Sequence, residues 1–443
     1  MSVTSTVKAT ERLTALLTLA GALIILWAFL NTNTLIPGLG LISLSLAMRL
    51  YTVASTNAVQ KALVSASYEG FLSGEPVRVE FIVRNESRIP IMFFEFSLSH
   101  SPYVKATSGI SGVTHIPPKG FARLSFIFEG RVGKYTVGPL KGVVRDPLGL
   151  YRSDELPVGR PIDIKILPKP SEAMLRRMFV ASKVVALSRT RRVGTGVEMY
   201  GVREYKPGDE LRRISWRHLS LWGKPFVKIT DEEASLNLVF VIQLNDASFA
   251  GVYGYTPFEH ISTVVASIAK YSVRRNDLMS LHVFSGSTHT YVHPARGYKA
   301  YQLITKALAE IPFNPELLSS AIPYTPREII NKVYQYLPRD RSIVLLLSTS
   351  SLLAMHASQF PDALSFISSK GHVPFILTPL TQAYEVKGLP EWGKALYRLK
   401  TFETLRNELS NIDKVKSTGV PVIAMGPENL VTEVVTRLEM MRS

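Results

Sequence analysis

Leu236-Asn237-Leu238-Val239-Phe240-Val241-Ile242 is a near-continuous apolar run. Such a run suits a strand covered on both faces, as in a parallel sheet; a half-exposed strand would alternate. Helix and strand patterns alternate after it. Phe258–Val273 reads as a helix with Ile261, Val264, Val265, Ile268 and Ala269 on one face. Met279–Phe284 reads as a strand and Tyr298–Ile311 as a helix. Pro326–Tyr336 is a further helix, with Pro326 suited to a first turn. Ser342–Ser348, Val373–Thr378 and Val420–Met425 read as strands, and Glu428–Met441 as a closing helix. This alternation predicts an α/β doubly wound, Rossmann-like sheet over residues 235–443.

Upstream lies a dense run, Gly201-Val202-Arg203-Glu204-Tyr205-Lys206-Pro207-Gly208-Asp209-Glu210-Leu211-Arg212-Arg213-Ile214-Ser215-Trp216-Arg217. Pro207-Gly208-Asp209 is a turn, with Pro at its first corner and Gly free to take positive φ. Asp209 is placed to cap a short helix over 210–214. Arg203, Arg212 and Arg217 can pair with Glu204, Asp209 or Glu210, and Tyr205, Ile214 and Trp216 can anchor the run. It is either a rigid structural corner or a recognition surface. Before it, Met174–Arg192 is a basic run carrying Arg176, Arg177, Lys183, Arg189, Arg191 and Arg192. That run reads as a solvated connector or as a contact for phosphates or lipid headgroups. With the corner it makes a basic linker over 171–234.

Between 61 and 170 the pattern has period two: Val77–Val83, Met92–Leu98, Ala122–Phe128, Lys134–Val137 and Ile162–Leu167. Gly, Pro and Asn punctuate the gaps, which predicts an all-β sandwich. Asp146-Pro147 with Gly149 suggests a tight turn closing a hairpin. Residues 1–60 read as a transmembrane hairpin. Leu13–Leu30 is a run of 18 residues without a charge, long enough to cross a hydrocarbon core. A second apolar run covers roughly Leu35–Val53. Lys8 and Arg12 precede the first span, Arg49 and Lys61 end or follow the second, and the connecting loop carries no charge. The positive-inside rule then puts both ends in the cytoplasm. The expected location is the cell membrane, multi-pass, with the soluble domains cytoplasmic.

The chain has 443 residues and a net charge of +16, from 51 Lys and Arg against 35 Asp and Glu. A basic chain can face nucleic acid, anionic lipid or an acidic partner; a membrane-proximal cytoplasmic protein with scattered Lys and Arg is the plainer reading. There are no cysteines, which removes disulfides, thiolate nucleophiles and Cys-based metal sites. No Walker-type loop, Gly-x-Gly-x-x-Gly fingerprint or Gly-x-Ser-x-Gly elbow is present. At the end of the first α/β strand, Asp246 and Ser248 have the spacing to offer oxygen ligands to Mg²⁺, but Ala250 offers none. The counterpart after Leu347, Ser348-Thr349-Ser350-Ser351, has no carboxylate. His282, His289 and His293 lie close in sequence, with His289 and His293 on one face of an extended chain and no acidic partner nearby.

The run Arg203-Glu204-Tyr205-x-Pro207-Gly208-Asp209-x-x-Arg212-x-Ile214-x-Trp216 resembles the signature of the family called domain of unknown function 58. Gly196-Val197-Glu198 and Arg145-Asp146-Pro147-Leu148-Gly149-Leu150 are similar to that family too. The resemblance implies two spans, a β-sandwich, the signature and a von Willebrand factor A-like domain. It implies a MoxR-type AAA+ ATPase and its client proteins as partners, in an adaptor or chaperone-like role. It also implies a Mg²⁺-dependent adhesion site. The chain departs from the pattern at Ser215, where an acid is usual, and at Leu221-Trp222, where a small residue and Arg are common. The adhesion pattern Asp-x-Ser-x-Ser is reduced to Asp246-Ala247-Ser248-Phe249-Ala250.

The expected function is therefore a membrane-anchored, non-enzymatic adaptor without a cofactor, binding partners through Arg203, Tyr205, Asp209, Arg212 and Trp216. The alternatives are a divalent-metal-dependent adhesion module or hydrolase using Asp246 and Ser248, and a membrane-tethered nucleic-acid binder using Arg176–Arg192. The last lacks the interleaved aromatics that stack on bases.

Overall fold

The computed structural model describes residues 7–30, 33–188, 193–207, 209, 211, 214–231, 235–251, 255–312, 324–385, 389–417, 419–425, 436 and 438–440, with side chains for all but 181–201 and 228–231. The chain resolves into two compact units, Met1–Ile166 and Leu167–Ser443.

The first unit opens with β1 (Val7–Ala9), α1 (Glu11–Leu30) and α2 (Leu35–Gln60). Both helices are long and apolar enough to cross a membrane, with mean hydropathies of 2.4 and 1.4 over their most apolar windows. They pack against each other where a side chain is missing. A Cβ on Gly38 would lie 2.9 Å from Ile24 Cγ1 and 3.2 Å from the Ala20 carbonyl oxygen. The Thr34 hydroxyl ties the pair by donating to the Leu23 carbonyl at 2.9 Å.

The strands follow: β2 (Leu63–Glu69), β3 (Pro76–Arg84), β4 (Ile91–His100), β5 (Ser111–Ile116), β6 (Phe121–Glu129), β7 (Gly133–Arg145), β8 (Tyr151–Ser153), β9 (Leu156–Val158) and β10 (Ile162–Ile166). β2, β3 and β6 form an antiparallel three-stranded sheet; β1, β4, β5 and β7–β10 form a seven-stranded one. Period two sorts the side chains: Val77, Val79, Phe81 and Val83 of β3 are buried, whereas Arg78 and Arg84 are exposed. The sheets touch through Phe96 and Phe126, ring centroids 5.9 Å apart, and through His100 and Phe128 at 5.7 Å.

Both ends of the helical hairpin are held on this β-structure. β1 pairs with β8, and the Thr10 hydroxyl donates to the Gly149 carbonyl at 2.7 Å. At the other end, the Tyr51 hydroxyl donates to the Pro90 carbonyl at 2.8 Å and accepts from the Met92 N–H at 3.0 Å. The Asp146 carboxylate accepts from the backbone of Leu148 at 2.8 Å and of Tyr151 at 2.5 Å, closing the turn from β7 to β8. Gly149 holds that turn at φ 69°.

The second unit runs α3 (Glu172–Ser188), β11 (Val193–Glu204), α4 (Trp216–Trp222), β12 (Phe226–Asp231), β13 (Asn237–Leu244), α5 (Pro257–Val273), β14 (Leu278–Ser285), β15 (Thr288–Arg296), α6 (Gly297–Ala309), α7 (Pro326–Tyr334), β16 (Ser342–Ser348), α8 (Ser350–Met355), α9 (Phe360–Ser369), β17 (Val373–Pro379), α10 (Thr381–Glu385), α11 (Glu391–Lys416) and β18 (Val422–Met425). Six strands form one sheet in the order β15-β14-β13-β16-β17-β18. Its pairings are parallel except β14 with β15, which are joined by the Ser285–Thr288 turn.

Val239, Val241, Val344, Leu346 and Ile376 meet α7, α9 and the end of α11 in one core. The alternate residues Phe240, Ile242, Leu345 and Leu347 are equally buried, so both faces are covered and neither shows the alternation of a half-exposed strand. α5 and α7 start alike. Pro257 and Pro326 take the first turn, and Thr256–Glu259 and Thr325–Glu328 form reciprocal capping boxes.

Three elements were not foreseen from the sequence. Most of the basic connector is a helix, α3, though Arg189, Arg191 and Arg192 fall outside the described residues. The stretch after it, which contains Gly194 and Gly196, is a strand, β11, paired with β12. The longest helix of this unit, α11, follows Pro390, where no helix was expected. The closing helix expected over Glu428–Met441 lies largely outside the described residues.

Candidate functional site

β11 and β12 carry the signature between them. Arg203 pairs with Val227 and Glu204 with Phe226, after which the Tyr205 N–H donates to the Pro225 carbonyl at 2.9 Å. The chain then turns, with the Asp209 N–H donating to the Lys206 carbonyl at 3.1 Å. Arg203 grips the Asp209 carboxylate with both nitrogens, at 2.8 and 2.6 Å, and the Lys206 N–H donates to the same carboxylate at 2.8 Å. The Arg203 guanidinium, then the Lys206 N–H, hold the Asp209 carboxyl below its usual range, and Arg203 is raised in return. Asp209 thus fixes the turn behind it. The 210–214 segment it was expected to cap lies largely outside the described residues.

The chain comes back through Ile214, which bridges to Val227, and the Ser215 N–H donates to the Phe226 carbonyl at 2.7 Å. The Ser215 hydroxyl pairs with His218 Nδ1 at 2.8 Å across the first turn of α4. Gly223, at φ 67°, ends that helix in the left-handed conformation. His218, Trp222 and Phe226 form a ring cluster, with Trp222 edge-on to Phe226 at 4.9 Å.

Of the three expected anchors, Ile214 is buried and Tyr205 half-buried, but Trp216 is 69% exposed. Leu211, Leu221 and Trp222 are also 60% exposed or more. The corner brings Arg203, Tyr205 and Asp209 together and presents Trp216 outward; Arg212 lies outside the described residues. Sequence reasoning missed Leu211, Leu221 and Trp222 as surface. The signal for two of them was there, since Leu221-Trp222 stands where a small residue and Arg are common.

A second place is set by topology. β14 lies on one side of β13 and β16 on the other, so the strand order reverses between β13 and β16. Crevices for ligands open at the carboxyl ends of strands at such a point. Here Asn245 is the hub. Its side-chain oxygen accepts from the Ser248 hydroxyl at 2.9 Å, the Ser248 N–H at 3.2 Å and the Thr349 hydroxyl at 3.2 Å. Thr349 pairs in turn with Ser351 at 3.1 Å. Asp246 is exposed, and its carboxylate accepts from the Ala247 N–H at 2.8 Å. The hub is therefore a neutral amide with hydroxyls. A hard dication wants carboxylate charge among its oxygens, and Asp246, which takes no part in the hub, is the one carboxylate of the expected pair. Among the described residues no group of three or more His, Asp or Glu is placed to hold a metal.

His282 and His289 are brought together, Nδ1 to Nε2 at 3.1 Å, with Tyr291 4.6 Å from the His282 ring. Burial, then His289, pushes His282 down to about 3, and burial also lowers His289. His293 packs edge-on against Tyr291 at 4.7 Å.

The fold and the corner define the class: a mixed α/β chain with two helices long and apolar enough to cross a membrane. Residues 201–390 match the family model described as Protein of unknown function DUF58. No curated protein matches the sequence. Among solved structures, proximal thread matrix protein 1 from the mussel byssus, with a zinc-occupied MIDAS motif, is 12% identical with a TM-score of 0.29. The match covers 46% of each chain, so it spans less than half the length of that protein. A GH20 exo-β-N-acetylglucosaminidase from Vibrio harveyi is 9% identical with a TM-score of 0.22, covering 82% of this chain and 75% of that one. At these TM-scores neither likeness carries an argument.

Proposed function

We propose that this chain is a membrane-anchored, non-enzymatic adaptor. The α1–α2 hairpin fixes it to the bilayer, and the corner from Arg203 to Trp222 binds partner proteins. A MoxR-type AAA+ ATPase and its clients are the partner class that the signature's resemblance implies. The observation that carries the reading is the exposure of Leu211, Trp216, Leu221 and Trp222 around a turn locked by Arg203 and Asp209. Large apolar side chains left exposed on a short segment beside a locked turn are the kind of surface that a partner covers. The von Willebrand factor A-like, doubly wound reading of the C-terminal domain has the strand reversal beside β13 in its favour.

The test is co-purification of the full-length chain from detergent-solubilised membranes. The wild type is expected to bring down an AAA+ ATPase, and Trp216→Ala to lose it by tenfold or more. A wild type that captures no ATPase would sink the ATPase half of the proposal.

The alternative, a divalent-metal site at Asp246 and Ser248, has less support because the hydroxyls there gather on Asn245. Mg²⁺ is expected to leave the thermal midpoint unchanged in the wild type and in Asp246→Ala alike. A midpoint that rises with Mg²⁺ in the wild type alone would restore the metal reading.

A further inference from the structure

α11 changes sides along its length. In its second half the inward face is apolar: Ile412 and Val415 are buried in the core, and Glu408 beside them accepts from the Gln382 side chain at 2.7 Å. In its first half the inward positions are Lys394, Tyr397 and Thr401, all only half-buried. The apolar residues there point out instead. Trp392, Leu396, Leu399 and Phe402 are 60–75% exposed. Their spacing of four, three and three residues draws one stripe down a helix of about 100° per residue. Arg398 and Lys400, both exposed, stand on opposite sides of that stripe. Glu391 is neutralised by Lys394 at 2.7 Å, and Glu403 comes where the stripe ends. Beyond it the outward residues are polar: Asn407, Ser410 and Lys414.

We infer that residues 391–402 dock on an anionic lipid surface. The apolar stripe enters the headgroup boundary, Trp392 sits at the interface, and Arg398 and Lys400 reach lipid phosphates on either side. The inference rests on the reading of α1 and α2 as a membrane anchor, since a tethered chain meets lipid at high effective concentration. The cationic flanks select this occupant. Two copies of the stripe placed face to face would bring Arg398 and Lys400 against like charge, whereas lipid phosphates neutralise them.

The absence of native cysteine makes the test clean. Leu396→Cys and, as control, Ser410→Cys each carry one environment-sensitive dye on the full-length chain. The chain is reconstituted in nanodiscs of phosphatidylcholine, or of an equal mixture with phosphatidylglycerol, containing a nitroxide-labelled lipid. In anionic discs the dye at position 396 is expected to be quenched several-fold more than the dye at 410. Adding Arg398→Glu and Lys400→Glu, or omitting phosphatidylglycerol, should abolish most of that excess. Equal quenching at the two positions overturns the inference, and so does a 396 signal that follows the number of chains per disc instead of the lipid, which would mark a second copy. Alkaline extraction of the same chain from native membranes tests the anchor separately. A chain that resists extraction yet shows no excess quenching fails the lipid docking alone; one that is extracted fails the anchor.

Discussion

Asp209 and Asp246 are both acids at a turn, and their neighbours give them different work. Asp209 meets a guanidinium placed by β11 and becomes a fixed acceptor; Asp246 meets solvent and one backbone N–H. Asp209→Asn should therefore leave far-UV circular dichroism unchanged while lowering capture of the partner protein, because it loosens the turn without emptying a core. Loss of the whole fold in that variant would show that the corner is structural. His282 gives a second prediction. Its folded value of about 3 lies below the ordinary 6.5, so the unfolded chain takes up a proton that the folded chain refuses. His260, pushed down to about 4 by burial, acts in the same direction. Stability should fall as pH drops from about 6.5 toward 4, by on the order of a few kcal/mol for the two together. His282→Phe should flatten the curve of thermal midpoint against pH in that window; an unchanged slope would remove His282 as a cause. The pairing of His282 with His289 was not legible in the sequence, because it needs the β14–β15 register that sets His289 opposite Phe284 and so diagonal to His282.

Elements whose burial follows a simple period were legible; those that break the period were not. β3 and β6 alternate and β13 and β16 carry unbroken apolar runs through their middles, and the sequence placed all four. α11 has no constant apolar face, since its stripe crosses from outward to inward between Phe402 and Ile412, so no fixed helical period picks it out. α3 was obscured by its charges, and β11 by Gly194 and Gly196, which sit beside a register shift after Gly194. The corner was legible as a motif but not as a surface, because exposure of Trp216 depends on how α4 is hung from β12. The central strand carries the firmest stability prediction of this unit. Leu345→Ala in β16 removes a fully buried side chain from between two parallel neighbours and should cost about 2–5 kcal/mol. Urea denaturation of the detergent-solubilised chain measures it, and a cost below about 1 kcal/mol would mean that the site collapses around the gap.

For the whole molecule, the membrane reading rests on two independent features that agree. Charge flanks the hairpin at both ends and is absent from its tip. Both ends are also held on the same β-unit, through Thr10 on one side and Tyr51 on the other. A chain that crosses twice and returns to one folded unit must leave that unit on the side it started from, and by the positive-inside rule we propose the cytoplasm as that side. The expectation is tested with single cysteines in the cysteine-free chain. Asn33→Cys, exposed between α1 and α2, should react with a membrane-impermeant thiol reagent in intact cells. Arg160→Cys, exposed on the β-unit, should react only after the membrane is permeabilised. Reaction of both in intact cells would mean that the second helix does not cross. The strength of insertion is tested by Leu19→Arg, at an exposed position near the middle of α1. A central arginine costs about 2.5–3.5 kcal/mol of insertion free energy, so a larger share of the chain should be released by alkaline extraction. The same release in wild type and variant would show that α1 is not what holds the chain.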